Sequence, residues 1–302
     1  MIPVRKIGHT TFETPNIDRL VEHCLEVIGL TLTARDGDRA ILSTQVGEEA
    51  VILKTGTERR CTNLSLQVDS AFDLADAQKQ LGKHGVKSDR RSDMTPQIAD
   101  AVAFDDPAGT TIELFSHAAL VQTSKPPGGA AAFKLGHTAF SVASAQKMVD
   151  FYTEVLGFRV SDWLGDVFAF LRCGPDHHTV NFLNSEHRGL HHIAFEMKDI
   201  PHLLAACELL GQKDIKIIWG PGRHGIGHNV FVYHRDPDDH IIEFYTEMDQ
   251  MKDETLGYFE PRPWHKDRPQ RPKVWERVPG ALTWGTPPTP DYVRTHFKNA
   301  AF

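Results

Sequence analysis

Short runs of alternating apolar and polar residues recur along this 302-residue chain and predict β-strands. In GHTAFSV (136–142), Phe140 and Val142 fall on one face, and His137 falls on the other. The runs VFAFLRC, HTVNFL, HHIAFEM, NVFVYH and IIEFYT also have strand character, and RDPDD between the last two is typical of a turn. The second half of the chain is therefore predicted to be rich in short strands.

Two segments have the apolar period of amphipathic helices instead. AQKMVDFYTEVLG (145–157) is expected to end at Gly157, since glycine commonly terminates helices. DIPHLLAACELLGQ (199–212) places Leu203 and Leu210 on one side. The order in each half is then β-α-β-β-β, with a second helix inserted.

The chain also repeats itself, which indicates a duplication. Four segments return in the same order at offsets of 128 to 130 residues: GHTTF (8–12) as GHTAF (136–140), LVEHCLEVIGLTL (20–32) as MVDFYTEVLGFRV (148–160), TNLSLQV (62–68) as HHIAFEM (191–197), and DDPAGTTIELF (105–115) as RDPDDHIIEFY (235–245). One such match could arise by chance, but four in register could not.

The repeat divides the chain into modules. We expect a first module at 1–120, a linker with a Pro-Pro-Gly-Gly centre at 121–133, and a second module at 134–250. A Pro-rich extension follows at 251–302, which is either a surface-wrapping segment, such as a subunit contact, or a lid. Four of its residues could reach a substrate in the second case: Trp264, His265, Arg268 and Arg271.

Composition and charge narrow the function classes. The chain is 40% hydrophobic and 24% charged with a formal net charge of −7, and it has no basic run, so a nucleic-acid partner is not expected. No apolar run approaches the ~20 residues of a membrane span, and the start MIPVRKIGHTTF has no apolar signal region. We expect a cytoplasmic protein whose widely spaced cysteines are free thiols: Cys24, Cys61, Cys173 and Cys207.

Three strands of the second half place a ligand-capable residue on the face away from the apolar one. These residues are His137, His192 and Glu243, and a curved sheet would bring them together. Two imidazoles and one carboxylate form a facial triad that leaves three positions open on an octahedral metal, as non-haem Fe(II) oxygen chemistry requires. For a single histidine a half-exposed polar position explains the pattern as well, but it does not explain three matched strands. His191 faces the other way and is expected to be a packed or hydrogen-bonded histidine.

The sequence resembles the type I extradiol ring-cleaving catechol dioxygenases of the vicinal oxygen chelate superfamily. The resemblance covers roughly residues 5–250, through GHTAF, HHTVNFL, GLHHIAFEM and GPGRHGIGHNVFVYHRDPDDHIIEFYTE. The last piece is the most specific, because His224, Tyr233 and Glu243 keep the family's spacing. The resemblance implies an α+β fold of two tandem modules, each built from paired βαβββ units that form a curved mixed sheet around a cavity.

The family resemblance also implies roles for residues of the second module. His137, His192 and Glu243 would hold Fe(II), or less commonly Mn(II), and His178 would act as the acid/base group, with its neighbour His177 left open as an alternative. His224 and Tyr233 would act in catalysis and bind the substrate. Tyr245 and His228 are also expected to contact the substrate. His234 and His240 are expected to lie outside the site.

In the first module His9 and Glu113 correspond to His137 and Glu243, but Asn63 stands where the second module has a histidine. We therefore expect the first module to hold no metal. The activity implied is extradiol cleavage of a catechol-type diol with both atoms of O2, in aromatic-compound catabolism, by a homo-oligomer. Two alternatives remain open: a metal-dependent lyase or isomerase of the glyoxalase type, and a non-catalytic small-molecule-binding member of the superfamily.

Overall fold

The computed structural model describes residues 1–92, 94–122, 128–260, 270–276 and 281–296. Two large mixed sheets and a few short helices form the α+β fold that the sequence predicted. Within these ranges, no helix combines the length and apolar character that crossing a bilayer requires. The cysteines are all free, as expected.

The first sheet has eight strands in the order β2-β3-β4-β1-β5-β8-β7-β6. Its elements, with the helices that connect them, are β1 (Val4–Thr14), α1 (Ile17–His23) running on into a π-helical turn (Cys24–Ile28), β2 (Thr31–Asp36), β3 (Arg39–Ser43), β4 (Glu49–Thr55), β5 (Arg60–Val68), α2 (Leu74–Lys83), β6 (Asp89–Ser92), β7 (Asp100–Asp105) and β8 (Thr111–Phe115).

The second sheet has ten strands in the order β19-β10-β11-β12-β9-β13-β16-β15-β14-β20. Its elements before the extension are β9 (Lys134–Val142), α3 (Ala145–Glu154), β10 (Arg159–Leu164), β11 (Phe168–Arg172), β12 (Val180–Asn184), β13 (Gly189–Glu196), α4 (Ile200–Gln212), β14 (Trp219–Arg223), β15 (Val230–Arg235) and β16 (Ile241–Thr246).

The two sheets repeat one topology, since β9 to β16 follow the order of β1 to β8 strand for strand. Each sheet consists of two βαβββ units, and in the second sheet these are β9-α3-β10-β11-β12 and β13-α4-β14-β15-β16. The units meet where β9 and β13 pair antiparallel, at the centre of the sheet. The duplication seen in the sequence is therefore a duplication of structure.

Helix starts follow the capping pattern of the sequence. Ser144 and Asp199 accept backbone N–H groups at the starts of α3 and α4. Helix α3 ends at Glu154, three residues before the Gly157 that the sequence suggested. Gly157 instead has a φ of +70° in the turn that follows, where a side chain would meet the backbone of Ile2.

The extension completes the second sheet at both edges. Its elements are β17 (Met251–Asp253), β18 (Tyr258–Phe259), β19 (Lys273–Trp275), β20 (Trp284–Gly285) and α5 (Pro290–His296). Strand β19 pairs parallel with β10, and β20 pairs antiparallel with β14. Covering both edge strands satisfies backbone groups that would otherwise be open to pairing with another chain.

Each module contacts a helix of the other module through the hairpin of its last two strands. The turn before β8 carries Asp106, which accepts a hydrogen bond from the Tyr152 hydroxyl of α3 at 3.2 Å. On the opposite side His234 of β15 packs against His23 of α1, with ring centroids 5.5 Å apart. A continuous cluster of buried apolar side chains spans both modules, so the two sheets share one core.

We predict that Asp106→Asn stabilises the protein selectively at neutral and higher pH. Burial raises the pKa of Asp106 from 3.8 to about 6, although several hydrogen bonds oppose the shift. The folded state therefore binds this proton more tightly than the unfolded state, and stability is lost as the pH rises from 3.8 through about 6. Relative to the wild type, the variant should gain about 1 to 3 kcal/mol of unfolding free energy between pH 4 and pH 8.

Denaturant unfolding at a series of pH values measures this gain. The exposed neighbour Asp105 provides the control, since Asp105→Asn removes a carboxylate from the same turn without removing a buried one. A constant difference between Asp106→Asn and wild type across the pH range would contradict the prediction.

Candidate metal centre

Three strands at the centre of the second sheet bring His137, His192 and Glu243 together. Ala194 of β13 pairs with His137 of β9 on one side and with Glu243 of β16 on the other. His192 lies two residues before Ala194 and so on the same face. The methyl group of Ala194 leaves space between the two longer neighbours, and the three ligand-capable side chains converge above it.

The three side chains fit a single metal ion. His137 Nε2 lies 3.1 Å from His192 Nε2, and Glu243 Oε2 lies 3.0 Å and 3.2 Å from these two atoms. Ligand atoms held at right angles and ~2.1 Å from one octahedral metal are about 3.0 Å apart. Two imidazole nitrogens and a carboxylate oxygen at these separations bring lone pairs together, which a cation stabilises. The residues match a facial triad.

Glu243 carries a buried charge, since the residue is only 1% exposed. Burial alone would raise its pKa, but His137 and His192 outweigh that cost and hold the pKa below its usual value. The second carboxylate oxygen, Oε1, accepts a hydrogen bond from the Asn229 amide at 2.9 Å. Asn229 orients the carboxylate, and the sequence analysis did not single it out.

His191 contacts the site from an unexpected direction. Its Nδ1 lies 2.7 Å from Nδ1 of His192, which orients the ring whose Nε2 faces the metal position. The residue is hydrogen-bonded, as expected, but it also lines the cavity. A shift in the β9–β13 register between Leu190 and His192 breaks the alternation, so neighbouring histidines turn to the same side.

The equivalent carboxylate of the first module is engaged differently. Glu113 Oε1 accepts hydrogen bonds from Asn63 at 2.8 Å and from the Arg91 guanidinium at 3.0 Å. His9 is 3.6 Å away through Nε2, and its Nδ1 faces Glu49 at 3.4 Å. Burial alone would raise the pKa of Glu113, but His9, Asn63 and Arg91 together hold it below its usual value.

His224 and Tyr233 form a hydrogen-bonded pair at the cavity. His224 Nδ1 donates to the Ala281 carbonyl at 2.6 Å, which leaves Nε2 to accept from the Tyr233 hydroxyl at 3.2 Å. Burial lowers the pKa of His224 to about 4, so the ring is neutral at pH 7. Phe231 stacks on the His224 ring at a centroid distance of 3.7 Å and fixes its plane.

His178 lies beside the triad, and His177 lies behind it. The ring centroids of His178 and His137 are 4.4 Å apart, and His178 lines the cavity. His177 is fully buried and is not a lining residue. Burial lowers the pKa of His178 well below its usual value, so its neutral form dominates. Of the two alternatives, the geometry favours His178 as the group that meets a substrate.

Two predicted substrate contacts do not reach the cavity. The Tyr245 ring packs on His137 with its hydroxyl against Gly136, where even a Cβ atom would clash. His228, at a φ of +52°, directs its Nδ1 to Asp249 at 2.7 Å. Neither residue lines the cavity, so we no longer expect either to contact a substrate.

The remaining histidines of the cluster lie away from the cavity. His234 packs between His23 and Phe244 at the module contact, and His240 Nδ1 is 2.9 Å from Asp236. Both therefore take part in structural contacts outside the triad.

The extension forms part of the cavity wall, but not through the residues named from the sequence. Ala281 and Tyr292 line the cavity. Arg271 lies at the surface, where it donates to the Leu256 carbonyl, and three of the proposed lid residues are outside the described residues: Trp264, His265 and Arg268. The extension has no periodic pattern that could have indicated Tyr292.

Beyond the triad, the cavity has a largely apolar and aromatic wall. It is formed by Leu164, Phe168, Phe170, Trp219, Ile226, Ala281 and Tyr292. Among the described residues lining the cavity there is no lysine or arginine. A substrate group lying against this wall therefore meets no cationic partner there.

Comparison with known proteins gives one family match. Residues 134–244 match the model of the Glyoxalase/Bleomycin resistance protein/Dioxygenase superfamily. The matched range contains the three triad residues and both members of the His224–Tyr233 pair.

Individual relatives and a solved structure extend the likeness over most of the chain. Metapyrocatechase 2 of Cupriavidus necator is 28% identical over 274 residues, which are 82% of this chain and 82% of that protein. An iron-dependent extradiol dioxygenase of Rhodococcus jostii (strain RHA1) is 24% identical over 83% of this chain and 92% of its own. The Mn(II)-bound glyoxalase from Novosphingobium aromaticivorans is 26% identical with a TM-score of 0.82, covering 97% of this chain and 94% of its own.

We predict that His192→Asn abolishes stoichiometric metal binding without unfolding the chain. The substitution gives the second module the residue that the first module has at Asn63. Loss of a group that only orients a ligand already costs about 10- to 100-fold in metal affinity, so loss of a ligand should cost about 100-fold or more. Metal content after loading with Fe(II) or Mn(II), measured by elemental analysis, tests this.

The matched control is Glu113→Gln, which alters the equivalent carboxylate of the first module and should leave metal content unchanged. Circular dichroism of each variant verifies folding. Full metal occupancy in His192→Asn would show that the triad is not the metal centre.

Proposed function

We propose that this chain, which belongs to the Glyoxalase/Bleomycin resistance protein/Dioxygenase superfamily, is a metal-dependent extradiol dioxygenase that opens a catechol-type ring beside its two hydroxyls. The observation that carries the proposal is the grouping around one cavity of three metal-ligand side chains, a neutral His178 and the His224–Tyr233 pair. Three protein ligands leave room for a bidentate diol and for O2.

Fe(II) is the metal that we assign to His137, His192 and Glu243. When bound, it would supply a centre on which the diol and O2 react despite their different spin states. The iron-dependent relative from Rhodococcus supports iron, whereas the Mn(II)-bound glyoxalase shows that this fold also accommodates manganese. Two neutral imidazoles and one carboxylate suit either divalent ion.

His178 holds and moves the proton in this proposal. Because its imidazole is neutral, it can accept a proton from a substrate hydroxyl and return it later in the reaction. Its place beside His137 brings it within reach of a diol in the cavity. Of the other lining histidines outside the triad, His224 is engaged by Ala281 and Tyr233, and His191 directs its Nδ1 to His192.

Tyr233 and His224 position the diol. The stacked rings of Trp219 and Tyr233, with centroids 5.2 Å apart, fix the tyrosine, and Phe231 fixes His224. Burial and the nearby Glu243 raise the pKa of Tyr233 well above its usual value, so its hydroxyl keeps its proton and acts as a donor. A preorganised donor of this kind stabilises charge that develops on oxygen.

The apolar wall determines which ring substituents fit. A carboxylate or ammonium group held against Phe168, Trp219 and Tyr292 would lose its hydration without gaining a charged partner. We therefore propose catechols with uncharged alkyl or aryl substituents as substrates.

Assembly into a homo-oligomer and a cytoplasmic location stay predictions.

A glyoxalase-type isomerase is the second candidate, because a structure with that description matches nearly the whole chain. Such an enzyme would turn over a hemithioacetal without consuming oxygen. Extradiol cleavage instead consumes O2 and gives a ring-opened muconic semialdehyde-type acid. Oxygen uptake therefore separates the two functions.

We predict that the Fe(II)-loaded protein consumes O2 when given an alkyl- or aryl-substituted catechol and forms a yellow product. Catechols carrying a carboxylate should have kcat/KM values lower by about 10- to 100-fold, the scale of leaving a buried polar group unpartnered. Oxygen-electrode and absorbance measurements on one enzyme preparation give both results. If the protein isomerises a hemithioacetal and takes up no oxygen, the dioxygenase proposal is wrong and the glyoxalase-type isomerase is the function.

We predict that Tyr233→Phe preserves metal content and lowers kcat by about 10-fold to 10³-fold, since only the hydroxyl donor is removed. KM should change little, because the hydrogen bond acts more strongly in the transition state. The control is Tyr292→Phe, which removes a hydroxyl from the same cavity wall outside the His224–Tyr233 pair. A wild-type kcat in Tyr233→Phe would mean that the ring serves only in packing.

A further inference from the structure

Asp162 and His177 stand in line behind His178, outside the cavity. Asp162 lies on β10, and both it and His177 are fully buried. We propose that they are positioning residues, which hold His178 with its hydrogen on Nδ1 and its lone pair on Nε2, directed to the cavity. The inference rests on the proposed function, in which His178 receives the substrate proton.

Two close contacts connect the three side chains. His177 Nε2 is 3.1 Å from Asp162 Oδ2, and His177 Nδ1 is 3.0 Å from His178 Nδ1. Because Nδ1 of His178 is engaged on the side of His177, Nε2 is the nitrogen left for the cavity. Gly227 lies against both imidazole rings, where a Cβ atom would come within 3.3 Å of each, so the pair is tightly enclosed.

The direction of these hydrogen bonds follows from Asp162. Its Oδ1 accepts from the backbone N–H of Lys273 at 2.8 Å, and its Oδ2 accepts from the Trp275 indole at 2.7 Å. A carboxylate that accepts two donors acts as an acceptor toward the imidazole as well. We therefore assign a hydrogen to His177 Nε2 and a lone pair to its Nδ1, which accepts from His178 Nδ1.

This direction matters because an imidazole in the opposite tautomer would present an N–H to the cavity. Such a ring cannot take a proton from a substrate hydroxyl. A buried carboxylate that fixes a histidine tautomer is the arrangement by which acid/base histidines are held ready elsewhere. Here a second histidine, His177, stands between the carboxylate and the acid/base group.

The extension takes part in this control. Both donors to Asp162 other than His177 come from β19, which pairs with β10 in the register Asp162 to Lys273. Trp275 therefore acts on His178 through two intervening side chains. The extension, which has no sequence periodicity, is in this way linked by hydrogen bonds to the proposed acid/base group His178.

The tautomer can be measured without turnover. In protein labelled with ¹⁵N-histidine and loaded with diamagnetic Zn(II), ¹⁵N shifts distinguish a protonated from an unprotonated ring nitrogen, and His178→Asn identifies the His178 signals. We expect a protonated Nδ1 and an unprotonated Nε2. In Asp162→Asn the amide can donate a hydrogen bond to His177, which reverses the direction of the bonds between residue 162, His177 and His178. The ¹⁵N shifts should then show His178 protonated on Nε2 or a mixture of the two tautomers. A wild-type His178 protonated on Nε2, or signals that Asp162→Asn leaves unchanged, would overturn the inference.

Kinetics in combined variants give the second test. Asp162→Asn should keep metal content and KM and lower kcat by about 10- to 100-fold, toward the loss of about 100-fold or more expected for His178→Asn. In the His178→Asn background, Asp162→Asn should add less than about twofold, because the residues act as one unit. Losses that multiply would indicate general structural damage and contradict a positioning role. Asp236→Asn is the control, since it alters a part-buried Asp–His pair with a similar N–O distance away from the cavity.

A pair of substitutions at His177 keeps the inference testable if Asp162→Asn folds poorly. Glutamine can donate to Asp162 and accept from His178, so His177→Gln should retain most of kcat, whereas His177→Leu should resemble Asp162→Asn. Equal losses of kcat in the two variants would contradict the proposed hydrogen-bonded arrangement of Asp162, His177 and His178. An intact tautomer pattern with no oxygen uptake on any catechol would leave the positioning in place and refute the proposed function instead.

Discussion

A carboxylate with almost no solvent exposure, at the middle of the second sheet, is the constraint on which the site depends. An ionised group in such a place is tolerated only when it is paired and hydrogen-bonded. Two imidazoles and an amide surround Glu243, and the central pairing of β13 with β9 and β16 brings them there. In the first module His9, Asn63 and the partly exposed Arg91 surround the equivalent Glu113. One topology thus supports a candidate cation site in one module and an ion pair with a guanidinium in the other.

Much of this could be predicted from local patterns. Period-two alternation located the strands, because each strand packs one face against helices. The repeat of GHT-type and DPxxxxIE-type segments predicted equivalent sheets. The candidate metal ligands followed from the same alternation, since His137, His192 and Glu243 lie on corresponding faces. These are properties that neighbouring residues encode.

Other features depend on contacts between distant residues. His191 reaches the cavity because a register shift breaks the alternation, and Asn229 and Asp162 acquire their partners only when strands pair. Tyr292 comes from an aperiodic segment whose position is set by backbone bonds to the sheet edges. Such contacts leave no periodic pattern in the sequence, so only the folded structure reveals them.

The placement of the extension has a consequence for the order in which the protein matures. All three candidate metal ligands precede residue 244 in the chain, whereas Trp275, Ala281 and Tyr292 come later. Because folding during synthesis generally proceeds from the N-terminal side, the strands that carry the candidate ligands emerge before the wall residues and before the indole that donates to Asp162. An ion that binds to these three residues during synthesis would therefore meet a cavity whose wall is still incomplete.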